Sequence, residues 1–149
     1  MFILLYIKMG TNTSSIRKIN FEDMKMALKQ TEKYMIINTL ANEEQDCLIL
    51  NTVSCQEEER IINAHMQQKN KRLRIIIYGK NCNDEKIYKK YYQIQSLGFY
   101  NVFVYTGGLF EWLMLQDIFG LEEFPTTKPQ LDFIKYRPPQ LLNIELIEF

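Results

Sequence analysis

Two short runs constrain this chain more than anything else in it: Ile75-Ile76-Ile77-Tyr78 and Val102-Phe103-Val104-Tyr105. Each is four consecutive β-branched or aromatic residues without a polar position, as a strand covered on both faces requires. Between them Ile87, Tyr91, Ile94 and Leu97 recur at helical spacing, and Gly98 stands where a helix C-cap glycine belongs. A strand, an amphipathic helix and a second strand make a βαβ unit, which lays the two strands parallel in one sheet. The fold class is therefore α/β.

The alternation continues on both sides. Asn20 with Asp23 reads as a helix cap, followed by Phe21, Met24, Ala27 and Leu28 on one helical face. Residues 34–38 and 48–50 are apolar runs of strand length, separated by a polar turn. Ser54 with Glu57 makes a capping box for a helix carrying Ile61, Ile62 and Met66. Downstream, Gly107-Gly108 ends the second run. Leu109, Trp112, Leu113 and residues 115–119 then predict a further helix stopped by Gly120. Past Phe124, four prolines (Pro125, Pro129, Pro138, Pro139) interrupt the pattern. The expected organisation is an N-terminal arm over residues 1–17, one domain over 18–120, and an extension over 121–149 packed on it. Residues 141–147 suit a short edge strand or a docked tail.

Charge and composition exclude several functions. Eighteen basic residues balance eighteen acidic ones, so no net field draws the chain to nucleic acid or an anionic membrane. With one histidine (His65) and three scattered cysteines (Cys47, Cys55, Cys82), no metal site is expected. No cofactor is expected either. Free thiols suit a reducing, cytoplasmic setting. Residues 1–9 are apolar but too short to span a bilayer. Met9-Gly10-Thr11-Asn12-Thr13-Ser14 matches the N-myristoylation pattern, so Gly10 is a lipidation site, and the membrane a partner, if translation starts at Met9.

The stretch from Arg74 to Leu113 resembles the C-terminal half of a rhodanese-like domain. It carries the strand-to-loop step after IIIY, then Leu97-Gly98-Phe99 with Asn101-Val102, then Gly107-Gly108 followed by Trp112. The similarity extends loosely over residues 18–120. It implies a central, mostly parallel five-stranded sheet flanked by helices. In active members of the family a cysteine directly after the strand heads a loop whose backbone N–H groups converge on its sulfur. That arrangement stabilises a thiolate and then a persulfide.

Here Gly79 stands at that position, in the loop Gly79, Lys80, Asn81, Cys82, Asn83, Asp84. Where a basic residue usually closes the loop stand Asp84 and Glu85, which would repel thiosulfate, phosphate or arsenate. Asn38-Thr39-Leu40 replaces a common Asp-x-Arg triplet, and Asp46-Cys47-Leu48-Ile49 a Gly-His-Ile stretch. The resemblance thus implies a catalytically degenerate domain acting as a binding or regulatory module, its loop open to a protein partner or a small anion. The alternative is a divergent thiosulfate sulfurtransferase, or a related phosphatase or arsenate reductase, with Cys82 as nucleophile. Lys80, Lys86 and the nearby helix start favour a reactive Cys82, and Asp84 opposes it. Cys47 and Cys55 are expected to be incidental, and His65 to lie on the surface. Trp112 and Phe110 are expected to pack on the sheet. Tyr88, Tyr91 and Tyr92 with Lys86, Lys89 and Lys90 divide into a buried stripe and a solvated face.

Overall fold

The computed structural model describes residues 16–142. Its strands are β1 (Lys18–Ile19), β2 (Tyr34–Asn38), β3 (Arg74–Tyr78) and β4 (Val102–Tyr105), and its helices α1 (Phe21–Leu28), α2 (Cys55–Gln67), α3 (Lys86–Ser96) and α4 (Gly108–Phe119). Single 3-10 turns lie at Asn42–Glu44 and Phe133–Tyr136. The strands form one parallel sheet in the order β1-β4-β3-β2, with Ile77 opposite Ile37 on one side and Val104 on the other.

Alternate strand residues feed two separate cores, the period-2 consequence of the pleat. Ile36, Ile76, Tyr78 and Tyr105 face Met24 and Ala27 of α1, Leu109, Trp112 and Leu113 of α4, and Phe124 and Tyr136 beyond them. Met35, Ile37, Ile75, Ile77, Val102 and Val104 face Ile62 of α2 and Ile87, Tyr91 and Ile94 of α3. Burial on both sides explains why β3 and β4 carry no polar alternation. Trp112 is fully buried, edge-on to Tyr105 and Phe124 at centroid distances of 6.1 and 5.0 Å.

The helix ends follow the expected chemistry with one adjustment. Asn20 and Asp23 form a reciprocal capping box. Ser54 accepts from the Glu57 N–H, but the return half of that box is missing, because the Glu57 carboxylate takes the Arg60 guanidinium instead. Gly98 follows α3 with φ +101°, a left-handed conformation that glycine adopts without steric cost.

The expectation of five strands is corrected to four among the described residues. Leu48 and Ile49 are buried and Leu50 is exposed, and residues 48–50 pair with the C-terminal extension rather than with β2. Leu50 N donates to the Pro125 carbonyl at 3.1 Å and Thr127 N to the Leu48 carbonyl at 2.8 Å. Asn51 then takes a positive φ of 69° and turns the chain, leaving one isolated parallel bridge, Ile36 to Thr52, beside β2. The Tyr78 hydroxyl holds this turn, accepting from Ile49 N at 3.1 Å and lying 2.8 Å from the Thr52 hydroxyl. An apolar run long enough for a strand has found its hydrogen bonds elsewhere.

Candidate functional site

The parallel sheet brings the C-terminal ends of β2 and β3 together, where open α/β sheets place their ligand crevices. Thr39 N donates to the Tyr78 carbonyl at 3.0 Å, so Thr39 stands beside the loop that leaves β3. The loop begins at the buried Gly79 and ends at Lys86, where α3 starts.

Asp84 organises this loop. Its Oδ2 accepts from the Thr39 hydroxyl and from Lys80 N, each at 3.0 Å, and its Oδ1 accepts from Lys86 N at 3.0 Å. The carboxylate therefore lies against the first turn of α3, where the helix dipole favours negative charge. It also fills the space in front of Gly79. A Cβ on Gly79 would lie 2.3 Å from Asp84 Oδ2 and 2.9 Å from Ile87 Cγ2, well inside contact distance.

Other loop groups are also engaged. Asn83 N donates to Asn81 Oδ1 at 2.9 Å, and Asp84 N to the Asn81 carbonyl at 3.1 Å. From α4, Leu109 N and Phe110 N donate to the carbonyls of Gly79 and Lys80, both at 2.9 Å. This close approach needs glycine at position 108, whose φ is +71° and whose Cβ would sit 2.8 Å from the Gly79 carbonyl oxygen. The buried Asn81 amide donates to the Tyr136 carbonyl at 2.9 Å, fastening the extension to the loop. Lys80 pairs with Glu44 at 2.9 Å.

What stays open is a cavity of about 260 Å³ lined by Thr39, Leu40, Ala41, Glu44, Lys80, Asn83, Asp84, Lys86 and Pro139, among others. Beside it, sharing Thr39, Leu40 and Lys86, lies a cleft of about 560 Å³ between α2 and α3. Cys82 is exposed, and its thiol donates to Asn83 Oδ1 at 3.8 Å. Cys47 is buried against the Lys128 carbonyl, and burial raises its pKa. Cys55 is exposed at the first position of α2, in the wall of the larger cleft.

His65 is half-buried rather than on the open surface, its Nδ1 donating to the Ile61 carbonyl one turn back at 2.9 Å. Tyr91 is buried, with Tyr88 and Tyr92 packed beside it, while Lys86 and Lys89 face solvent. Gly10 lies outside the described residues. Sequence reasoning missed Thr39 as a loop partner, and also missed Glu44, Tyr136 and Pro139. The adjacency of β2 and β3 would have pointed to Thr39; nothing local marks the other three.

Among the described residues no helix is long and apolar enough to cross a membrane, and no three His, Cys, Asp or Glu side chains gather as a metal site.

The family model for the rhodanese-like domain matches residues 24–115, more than half of the 149 residues. The chain belongs to that family. Solved structures share the fold at low identity. One is a rhodanese-like domain from Anabaena sp., 22% identical, with a TM-score of 0.53, covering 83% of this chain and 85% of that one. A protein from Bacillus halodurans is 18% identical, with a TM-score of 0.55, covering 74% and 80%. An As-Sb reductase from Leishmania major is 19% identical, with a TM-score of 0.50, covering 70% and 82%. No curated protein matches the sequence.

Proposed function

We propose that this rhodanese-like domain is a binding and regulatory module without sulfurtransferase activity, with Gly79 at the position the family's nucleophile occupies. One observation carries the reading: the Asp84 carboxylate lies 2.3 Å from where a Gly79 side chain would begin. It accepts from Lys80 N and Lys86 N, donors an anionic sulfur or oxoanion would otherwise use. A thiolate there would be crowded out and would also face a negative charge. The same occupation argues against a small anion as the ligand and for a protein partner at the rim of the cavity. The test is thiosulfate:cyanide sulfur transfer by the wild type and by Cys82→Ser, with folding of both checked by circular dichroism. Equal background rates are expected. Turnover that disappears with Cys82 would replace this reading with a divergent sulfurtransferase using that thiol. Myristoylation of Gly10 would add a peripheral membrane location, and the intact mass of protein from its native host tests it.

A further inference from the structure

We propose that the outward face of α4, with the turn after it, is a docking surface for a basic amphipathic helix of a partner protein. The inference goes beyond the functional reading above: it concerns a different surface and holds whether or not sulfur transfer is lost. Leu109, Trp112 and Leu113 supply the inward face of α4. Its outward face is apolar as well, which a helix at a domain surface avoids unless that face is covered. Phe110, Met114 and Ile118 follow one another at four-residue spacing and so form one row along the helix. The extension covers the start of this row, with Phe133 on Phe110 at a centroid distance of 6.4 Å. Beyond that point the row is open. Met114 is 40% exposed and Ile118 67%, and at the helix end Phe119 and Leu121 add 60% and 47%. At about 200 Å² for a large side chain, these fractions amount to about 400 Å² of apolar surface, the size of patch that marks an interaction site.

The charges around the row indicate the partner. From Gly107 to Thr127 the chain carries four carboxylates, Glu111, Asp117, Glu122 and Glu123, and no lysine, arginine or histidine. Glu111 and Asp117 stand three residues to either side of Met114, so both flank the row. Neither makes an ion pair among the described residues, whereas Glu123 pairs with Lys25 at 2.7 Å. Lys29 lines one cavity with Glu122 and Glu123, so the uncompensated negative charge centres on Glu111 and Asp117. The cations of the extension are turned to other partners. Lys128 pairs with Asp46, Lys135 lies over the Tyr136 ring, and Arg137 donates to the Ile134 carbonyl. An apolar row with an acidic margin is complementary to an apolar row with a basic margin. It repels an anionic lipid surface, and two copies meeting through the same face would set acid against acid.

The probe is a fluorescein-labelled helical peptide of leucine and lysine, its leucines on one face, titrated with the full chain and followed by anisotropy. One comparison peptide has the same composition with the leucines scattered around the helix. Another keeps the pattern with glutamate in place of lysine. Saturable binding of the leucine–lysine peptide is expected, at least tenfold tighter than that of either comparison peptide. Met114→Ser/Ile118→Ser should weaken it at least tenfold; both side chains are exposed, and circular dichroism checks that the fold is kept. Asp117→Lys should weaken it at least fivefold and tighten binding of the leucine–glutamate peptide. Glu59→Lys is an equal charge reversal at an exposed position of α2, on the opposite side of the sheet, and should change neither affinity more than twofold. No saturable binding, equal affinity for the scattered peptide, or equal effects of Asp117→Lys and Glu59→Lys overturns the proposal. Dimerisation of the wild type that Met114→Ser/Ile118→Ser abolishes would assign the face to a second copy. Sedimentation with phosphatidylglycerol vesicles that the same variant abolishes would assign it to a membrane, and either result overturns the proposal equally.

Discussion

The loop after β3 and the cleft between α2 and α3 open on the same rim of the sheet and share Thr39, Leu40 and Lys86, yet they treat their polar groups in opposite ways. In the loop, the Thr39 hydroxyl and the N–H groups of Lys80 and Lys86 all converge on one carboxylate from the loop itself. In the cleft, Lys90 is matched by Glu58 while Lys86 and Lys89 stay without carboxylate partners among the described residues. A satisfied buried group gains little from a new partner, whereas an unmatched charge at a cavity wall still has interaction energy to give. The closed loop therefore contributes stability, while the cleft holds two cations without carboxylate partners among the described residues.

The largest effect expected from this contrast falls on the closed side. Gly108→Ala forces a Cβ to within 2.8–3.0 Å of the backbone at Gly79 and Asn81, at a positive φ. Neither backbone group has room to yield, so a loss of about 3 kcal/mol or more is expected in urea unfolding. A loss under about 1 kcal/mol would mean that the loop is not clamped by α4.

Next comes Gly79→Ala, for which about 1–3 kcal/mol is expected. The atom it meets first, Asp84 Oδ2, belongs to a side chain. Removing that carboxylate in Gly79→Ala/Asp84→Ala should make the pair less destabilising than the sum of the single changes, by about 1–2 kcal/mol. Strict additivity would show that Asp84 does not occupy the space in front of residue 79.

The uneven legibility of the sequence follows from the same physics. β3 and β4 were readable as unbroken apolar runs buried on both faces, and α3 and α4 by their helical period and the glycines that end them. Residues 48–50 misled because an apolar run states that it is buried and not which backbone will pair with it. Here the choice was made by Pro125 and Thr127, some 75 residues downstream. At the loop, Gly79 and Asp84 were visible as departures from the family pattern. Their joint geometry was not, because the carboxylate's role depends on Thr39, which only the pairing of β2 with β3 brings near.

Tyr78 links the two regions, since its backbone leads into the loop and its hydroxyl secures the turn that precedes α2. Tyr78→Phe leaves Ile49 N and the Thr52 hydroxyl short of a partner, at a cost of about 1–2 kcal/mol near neutral pH. The same change should flatten the alkaline limb. Burial pushes the Tyr78 hydroxyl well above the ordinary tyrosine range, so the folded chain keeps this proton while the unfolded chain releases it above about pH 10. The stability it contributes is complete below pH 10 and is lost as the pH rises past it, by about 1.4 kcal/mol at pH 11. The phenylalanine variant lacks that loss, although Tyr136, pushed up to about 12, and Tyr105 keep part of the slope. Parallel alkaline limbs for variant and wild type would show that Tyr78 is not buried in the way the turn requires.

The smallest effects lie on the open side, and their smallness is the point. Lys90→Met strands the Glu58 carboxylate, whose side chain is only 12% exposed; the pair is neither deeply buried nor fully solvated, so about 1–2 kcal/mol is expected. Lys89, on the exposed side of the same helix, has no such dependent. Lys89→Ala should leave the urea midpoint within about 0.5 kcal/mol of wild type. A cost equal to that of Lys90→Met would mean that Lys89 already holds a partner inside the folded domain, and the division between a closed loop and an open cleft would fail on its open side.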